Sequence, residues 1–195
     1  MSPRLTDGDT LRAHTLTAAT CPDNHDDRLE EEVVALFDEF RNPLLRYLSS
    51  FGIAFSDCED VIQEIFLSLF QHLHRGKSRE NLAGWLFRVG HNLALKWLYR
   101  TRRNVQVLTD ARTKSSPIDP APSPEDRAAD DQTRRRLLAV VEALPEQDRQ
   151  CLVLRAEGLR YREIAGILNM SLGGVSLSLA RSLARIARRA EQDNS

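Results

Sequence analysis

The sequence predicts an all-α protein of two small helical domains joined by a proline-rich linker, the second of them a helix-turn-helix. Apolar residues recur at three- and four-residue spacing in several segments, and no segment alternates convincingly with the period of two that a β-strand requires. Prolines crowd one stretch, "SSPIDPAPSP", where they remove amide donors and disfavour helix in the residue before each. The predicted boundaries are a disordered tail at 1–27, a first domain at 28–104, a flexible linker at 105–131 and a second domain at 132–190.

Composition excludes several classes of protein. The 195 residues are 42% hydrophobic with a net charge of −1, which is typical of a globular chain without global attraction to polyanions. No apolar run approaches the roughly 18 residues of a membrane span, and the N-terminus lacks the apolar core of a signal peptide. The three cysteines are scattered and odd in number, so no disulfide framework is expected. We therefore expect a cytoplasmic protein without membrane insertion.

The first predicted helices lie between Leu29 and Phe51, where apolar residues keep helical spacing. Pro43 interrupts this segment, so we expect one helix to end near Arg41 and another to begin at the proline.

The next helix shows a Ser-x-x-Glu pattern at Ser56 and Glu59, which is typical of a capping box at a helix N-terminus. Its apolar side is expected to carry Val61, Ile62, Ile65, Phe66, Leu69 and Leu73. Gly76 is expected to cap its C-terminus. A further helix is predicted over about 82–103, with Trp85, Leu86, Val89, Leu93 and Trp97 on its core face.

Basic residues dominate the stretch from Arg75 to Arg103, where Glu80 is the only acid. They are interleaved with the aromatic residues Trp85, Phe87, Trp97 and Tyr99. Basic residues beside aromatic rings suit nucleic acid, since charge holds phosphates and rings stack on unpaired bases. Spacing alone does not decide between this interpretation and a second one, in which the basic residues form a solvated face and the aromatic residues belong to the core.

The preceding stretch "SDCEDVIQE" is acidic and contains no basic residue. Acids in a first helical turn complement the helix dipole, which accounts for Asp57, Glu59 and Asp60. The dipole does not account for Gln63 and Glu64, farther along the polar side, so a protein-docking surface is the functional alternative.

In the second domain, "YREIAGILNMSLGGVSLSLARSLARI" has the spacing of two helices joined by a tight turn. Asn169 suits the turn because asparagine tolerates the left-handed conformation. Five apolar residues are expected to pack the two helices together: Ile164, Ala165, Leu168, Val175 and Leu179.

Three stretches, taken in order, resemble the extracytoplasmic-function sigma factors of bacterial RNA polymerase. They are "DCEDVIQEIFLSLF", "LAGWLFRVGHNLALKWLYRTRR" and "LPEQDRQCLVLRAEGLRYREIAGILNMSLGGV". The family has an acidic Asp-x-x-Gln-Glu-x-Phe helix, then a Trp-Leu helix with an asparagine and trailing arginines, then Leu-Pro before a helix-turn-helix. The matching residues are Asp60, Gln63, Glu64, Phe66, Trp85, Leu86, Asn92, Arg100, Arg102, Arg103, Leu144 and Pro145.

The resemblance implies a sigma factor that binds core RNA polymerase and directs promoter recognition, melting and transcription initiation. In the family the first domain binds the polymerase clamp and reads the minus-ten element, and the second reads the minus-thirty-five element. Asp60, Gln63 and Glu64 are thereby expected to contact polymerase. The loop from about His74 to Ala83, with Asn92, resembles the pocket that holds a base flipped from the non-template strand. DNA contacts in this domain are expected from Arg75, Lys77, Arg88, Asn92, Lys96, Arg100 and Arg103.

The sequence departs from the family pattern at Lys96 and in the helix that follows the turn. Lys96 stands where the family often has aspartate, and residues 173–179 read Gly-Gly-Val-Ser-Leu-Ser-Leu where the family usually reads Gly-Thr-Val-Lys-Ser-Arg-Leu. Serine replaces both basic residues, so we expect weak sequence discrimination, with Ser176 and Ser178 bonding base edges and Leu177 meeting a thymine methyl. The expected DNA contacts of the second domain are Tyr161, Arg162, Ser171, Gly174, Ser176, Leu177, Ser178, Arg181 and Arg185.

Promoter DNA and core polymerase are thus the expected partners, with an anti-sigma factor as a further one. We expect no catalytic residues, no cofactor, no small-molecule substrate and no metal, since the rings of His72 and His74 should splay apart on a helix. A stand-alone helix-turn-helix regulator is the alternative, and it leaves the acidic helix unexplained. An enzyme on a helical scaffold would need a convergent polar pocket, which the sequence does not indicate.

Overall fold

The computed structural model describes residues 24–105 and 137–193, and every regular element in those ranges is a helix. The helices are α1 (Asn24–Ser49), α2 (Phe55–His74), α3 (Leu82–Val105), α4 (residues 137–142), α5 (Glu146–Ala156), α6 (Tyr161–Leu168) and α7 (Leu172–Asp193). The prediction of an all-α protein is confirmed. All of the predicted linker except residue 105, and most of the predicted tail, lie outside the described residues.

Helix α1 is continuous, so the predicted break at Pro43 is wrong. A proline inside a helix removes one backbone hydrogen bond and costs about 3 kcal/mol. Leu44, Leu45, Tyr47 and Leu48, directly after it, are all buried. Burying each such side chain stabilises the fold by roughly 1.5–3 kcal/mol, so their packing outweighs the local penalty.

The two ends of α2 differ in how well the sequence predicted them. Its N-cap is Ala54, without a side-chain hydrogen bond, so the predicted capping box is wrong. Ser56 lies inside the helix, and Glu59 instead forms an ion pair with Arg41 on α1. The C-terminal cap is confirmed: Gly76 has φ +64° and its amide donates to the Leu73 carbonyl at 2.9 Å.

The core of the first domain lies between α1, α2 and α3. All six residues predicted for the apolar side of α2 are buried. Aromatic rings pack edge to face between the helices. Phe37 of α1 contacts Phe66 of α2 with ring centroids 4.9 Å apart, and Tyr47 of α1 contacts Phe87 of α3 at 5.6 Å. This packing fixes which sides of α2 and α3 face solvent.

The second domain packs α5, α6 and α7 around a smaller core. The five apolar residues predicted for the helix-turn-helix interior are all buried. Asn169, between α6 and α7, has φ +51° as predicted, and the amide of Met170 donates to the Ala165 carbonyl at 2.9 Å. The turn therefore holds α7 at a fixed angle across α6.

The two domains pack directly against each other, α1 against α5 and α3 against α6. Within the described ranges no single helix is long and apolar enough to cross a membrane. Helices α6 and α7 are long and apolar enough only when they are counted as one segment, and a bend of 101° separates them.

Candidate nucleic-acid interface

The exposed side of α2 carries the predicted acidic surface. Asp60, Gln63 and Glu64 are all exposed and lie opposite the buried residues of the same helix. Glu64 faces Lys96 of α3, with its Oε1 3.8 Å from the lysine Nζ. Both side chains are about half exposed, so solvent screens this pair and it contributes little to stability. The carboxylates of this surface therefore remain accessible to a partner.

The exposed side of α3 carries a row of polar and basic residues that we call the α3 stripe. Its members are Arg88, Asn92, Lys96, Arg100 and Arg103, and all are exposed. Their three- and four-residue spacing aligns them along about 22 Å of helix at 1.5 Å per residue. The four cations of the stripe, spread over this length, can follow the phosphates of a nucleic-acid strand.

The aromatic residues of α3 mostly serve packing. Phe87 is fully buried, and Trp85 and Trp97 are half-buried against the core. Tyr99 is different, because 64% of it is exposed beside the α3 stripe. The basic residues and the tryptophans thus lie on different sides of the helix, and Tyr99 is the most exposed of these four rings.

The loop between α2 and α3 is held in shape by contacts at both ends. Asn81 has φ +52° and its Oδ1 accepts from the Gly84 amide at 3.1 Å, which caps α3. His72 Nε2 lies 3.0 Å from the Ser78 carbonyl oxygen, and its ring packs on Trp85. His74 approaches Asp26 instead, at 3.7 Å, so the two histidines turn apart. Arg75 and Lys77, both predicted to bind DNA, are exposed in this loop.

Helix α7 presents only part of its predicted DNA-binding set. Ser176 and Leu177 are exposed, Leu177 by 57%, on the first turns of the helix. Ser171 caps the helix, since its Oγ accepts from the Gly174 amide at 3.0 Å. That bond uses one of the free amides that a helix N-terminus would otherwise offer to a phosphate.

Ser178 is fully buried, so the prediction that it bonds a base edge is wrong. Its hydroxyl donates to Asp148 Oδ1 of α5 at 2.7 Å. Arg181 Nη2 donates to the same oxygen at 2.9 Å, although most of the Arg181 side chain faces solvent. Ser178 therefore joins α7 to α5 rather than to DNA.

Asp148 is a buried carboxylate that sequence analysis did not single out. Burial by itself would raise its pKa, but the hydrogen bonds from Arg181 and Ser178, with the charges of Arg181 and Arg185, hold the pKa below its ordinary value. The carboxylate is thus ionised and paired inside the second domain. Ser178, which donates to this carboxylate, lies 30 positions away along the chain, and no local sequence pattern indicates such a contact.

The N-terminus of α6 places Tyr161 and Arg162 at the surface, as predicted for phosphate contacts. The guanidinium carbon of Arg155 lies 5.7 Å from the centre of the Tyr161 ring, a cation–π contact that orients the phenol. Arg185, farther along α7, is also exposed.

Two protein-family models match the chain. One is Sigma-70 region 2, over residues 36–104, and the other is Sigma-70, region 4, over residues 134–186. Together these matches cover most of both described ranges.

Similar proteins include a probable RNA polymerase sigma factor, RfaY, of Xanthomonas campestris, 32% identical over 131 residues. That match covers 66% of this chain but 32% of the relative, so the chain spans about a third of that protein's length. The sigma factor CnrH of Cupriavidus metallidurans is 28% identical, with 74% of this chain and 79% of CnrH covered. The ECF sigma-E factor of Escherichia coli is 27% identical, over 65% of this chain and 70% of sigma-E.

Among solved structures, RpoE from Bartonella quintana, bound to the anti-sigma factor NepR, matches with TM-score 0.62 and 20% identity. The match covers 80% of this chain and 97% of that one. CnrH bound to the cytosolic domain of CnrY matches with TM-score 0.56 and 21% identity, over 86% of this chain and 96% of that one. These similarities establish the fold.

Proposed function

Because the chain belongs to the extracytoplasmic-function group of the sigma-70 family, we propose that it binds core RNA polymerase and directs promoter recognition, melting and transcription initiation. It acts as an initiation factor, and the chemistry of RNA synthesis belongs to the polymerase. Its partners are core polymerase and promoter DNA, and the place of action is the cytoplasm, at the nucleoid.

The observation that carries this proposal is the division of the first domain into two charged surfaces on neighbouring helices. The exposed acids of α2 suit a basic protein surface, and the α3 stripe suits phosphates. Asp60, Gln63 and Glu64 make the polymerase contact. A stand-alone DNA-binding regulator has no use for the acidic surface, which would repel DNA.

Promoter DNA in this proposal is held by the α3 stripe together with Arg75 and Lys77. The backbone of a melted strand follows the cations, and Asn92 offers an amide to the open edge of an unpaired base. The capped loop before α3 forms the wall of the base pocket, where Asn81 fixes the direction in which α3 begins.

The second domain in this proposal positions the protein on the minus-thirty-five region more than it discriminates sequence. Its phosphate contacts come from Tyr161, Arg162, Arg181 and Arg185, whereas Ser171 and Gly174 hydrogen-bond to each other at the helix N-terminus. Ser176 and Leu177 are its base contacts. Without lysine or arginine in its first turns, α7 cannot make the bidentate arginine–guanine contact, which discriminates by about 1–3 kcal/mol.

The functional units of this proposal are residues 28–104 and 132–190, with 1–27 and 105–131 as tail and linker. A protein inhibitor is a further partner class. The two solved sigma factors described above were captured with protein partners, the anti-sigma factor NepR on RpoE and the cytosolic domain of CnrY on CnrH. The exposed acidic surface of α2 offers such a protein a docking site.

Charge reversal of Glu64 tests the polymerase contact. Glu64→Lys should weaken binding to core polymerase, because the exposed carboxylate would be replaced by a cation facing a basic surface. The matched control is Glu39→Lys, the same reversal at an exposed position of α1, which should leave the affinity unchanged. Fluorescence anisotropy of the labelled protein with core enzyme gives both values, and circular dichroism checks that both variants keep their helices. Equal affinities for the two variants would refute the assignment.

A further inference from the structure

The first cation along α7 is Arg181, and it is bound to a buried carboxylate. Residues 172–180 contain no lysine or arginine, so Arg181 is the basic residue of α7 nearest to Ser176 and Leu177, the proposed base contacts. Arg181 lies one turn after Leu177, on the same side of the helix. Its guanidinium is therefore the first on α7 that can reach a phosphate beside the contacted bases.

Asp148 of α5 holds one end of this guanidinium. Its Oδ1 accepts from Arg181 Nη2 at 2.9 Å and from Ser178 Oγ at 2.7 Å. Only 7% of the Asp148 side chain is exposed, whereas 55% of the Arg181 side chain is exposed. An arginine head group carries several N–H donors in a rigid planar fork, so anchoring one of its nitrogens fixes the direction of the others.

The serine at position 178 leaves this carboxylate to Arg181. The family pattern usually has arginine there, and a cationic side chain starting from that position would compete with Arg181 for Asp148. Ser178 instead supplies a neutral hydroxyl and is fully buried, so Arg181 balances the charge of the carboxylate. These contacts hold the pKa of Asp148 below its ordinary value, so the ion pair is present at neutral pH. The balancing cation thus lies at the surface of α7.

We propose that Asp148 is a positioning residue for DNA binding, which holds the Arg181 guanidinium where its remaining donors meet one phosphate of the minus-thirty-five duplex. This inference rests on the proposed function and deepens it, because it gives a role in DNA binding to a residue that DNA does not touch. Ordering a free arginine at an interface weakens binding by roughly two- to tenfold, and an arginine that is already ordered avoids this loss. A phosphate contact at a fixed place also sets the register of α7 on the duplex.

The same carboxylate has an opposite effect at long range. Asp148 neutralises the charge of Arg181, and this lowers the general attraction of α7 to DNA. Arg185 and Arg188, both exposed and spaced at four and seven residues from Arg181, retain that attraction. We therefore expect the ordering of Arg181 to outweigh the lost charge, so removing the Asp148 charge should weaken DNA binding.

A double-mutant cycle between Asp148 and Arg181 tests the proposal in the holoenzyme, the complex of this protein with core polymerase. Asp148→Asn keeps the size of the side chain and an oxygen that can accept from Ser178, but it removes the charge that holds Arg181. It should weaken binding to a promoter selected from a random library by about five-fold. Arg181→Ala should weaken the same binding by about tenfold, because the phosphate contact itself is lost. The double variant should bind as Arg181→Ala does, since Asp148 acts only through Arg181.

Ser178→Ala is the matched control for this cycle. It removes the other hydrogen bond to the same oxygen of Asp148 and leaves the ion pair with Arg181 in place. It should therefore lower the stability of the second domain but leave the affinity of the holoenzyme for the promoter unchanged. Circular dichroism before each titration checks that every variant is folded at the temperature of the measurement.

Replacing single phosphates by neutral methylphosphonates identifies the contact directly. Duplexes substituted at one position at a time across the minus-thirty-five region should include a position where the substitution weakens binding of the wild-type holoenzyme but not of Arg181→Ala. Asp148→Asn should lose its sensitivity at the same position, and Ser178→Ala should keep it. A purely structural role of Asp148 would instead lower binding to all the duplexes equally and leave the pattern of sensitive positions unchanged.

Two results would overturn this role of Asp148. One is unchanged or tighter binding by Asp148→Asn, which would show that the carboxylate does not help Arg181 to reach DNA. The other is a double variant whose loss of affinity is the product of the two single losses, because effects that are independent multiply. Failure of the wild-type protein to bind core polymerase would instead refute the proposed function, and this inference with it.

Discussion

Removing the buried hydroxyl of Ser178 should destabilise the second domain without removing a DNA contact. The hydroxyl donates at 2.7 Å to Asp148, a carboxylate that is 5% exposed. A hydrogen bond to a charged group contributes about 1.5–3 kcal/mol, so Ser178→Ala should lower the free energy of unfolding by about 2 kcal/mol. In a domain of this size each kcal/mol shifts Tm by about 4–8 °C, so the melting temperature of the second domain should fall by roughly 10 °C.

Ser176→Ala is the control for this prediction. Both changes replace serine by alanine on α7 and alter helix propensity equally, but Ser176 is exposed and should change stability by no more than about 0.5 kcal/mol. Urea unfolding at pH 7, followed by circular dichroism, measures both free energies, and titration with promoter duplex in the presence of core enzyme measures DNA affinity. Equal stabilities, together with weaker DNA binding by Ser178→Ala alone, would show that Ser178 faces DNA and that its assigned role is wrong.

Three further predictions concern promoter contacts and pH. Asn92→Ala should relax minus-ten preference more than it lowers non-specific affinity, measured by competition between matched and mutated promoters; uniform loss would indicate a structural role. Ser176→Lys should strengthen duplex binding and steepen its salt dependence by about one unit of slope, because one phosphate contact is added, and an unchanged slope would place residue 176 away from the backbone. Because the folded-state pKa of Asp148 lies below its ordinary value of 3.8, its contribution to stability is complete above that pH and is lost as pH falls through the folded pKa. Asp148→Asn should therefore flatten the acid limb of the stability curve in urea titrations, and an unaltered limb would contradict the assignment.

The spacing of apolar residues along the chain correctly predicted which face of a helix is buried. The apolar side of α2 and the interior of the helix-turn-helix follow from residues three and four positions apart, which must share a face of any helix. Asn169 and Gly76 were predictable because a left-handed backbone restricts the choice of residue. The charged surfaces of α2 and α3 were predictable from the local excess of acidic or basic residues, because charged side chains without a partner of opposite charge remain in solvent.

Contacts between distant parts of the chain account for the errors. Pro43 predicts a break by its own chemistry, and only the burial of its neighbours shows why α1 continues. Ser178 looks like a surface residue until Asp148, on another helix, is placed beside it. Arg46 and Glu157 lie 111 positions apart, and no local pattern predicts that they pair. A sequence pattern cannot reveal a partner whose position is set by tertiary packing.

Run-off transcription with core polymerase on a random promoter library tests most sharply whether this chain directs initiation. Core enzyme supplemented with the protein should select templates that share a minus-ten sequence, and scrambling that element should reduce transcript more than scrambling the minus-thirty-five region does. Glu64→Lys should lower selected transcription, and Glu39→Lys should not. Sequence-specific DNA binding without core enzyme, combined with no gain in transcription when the protein is added to it, would contradict this function and favour a stand-alone regulator.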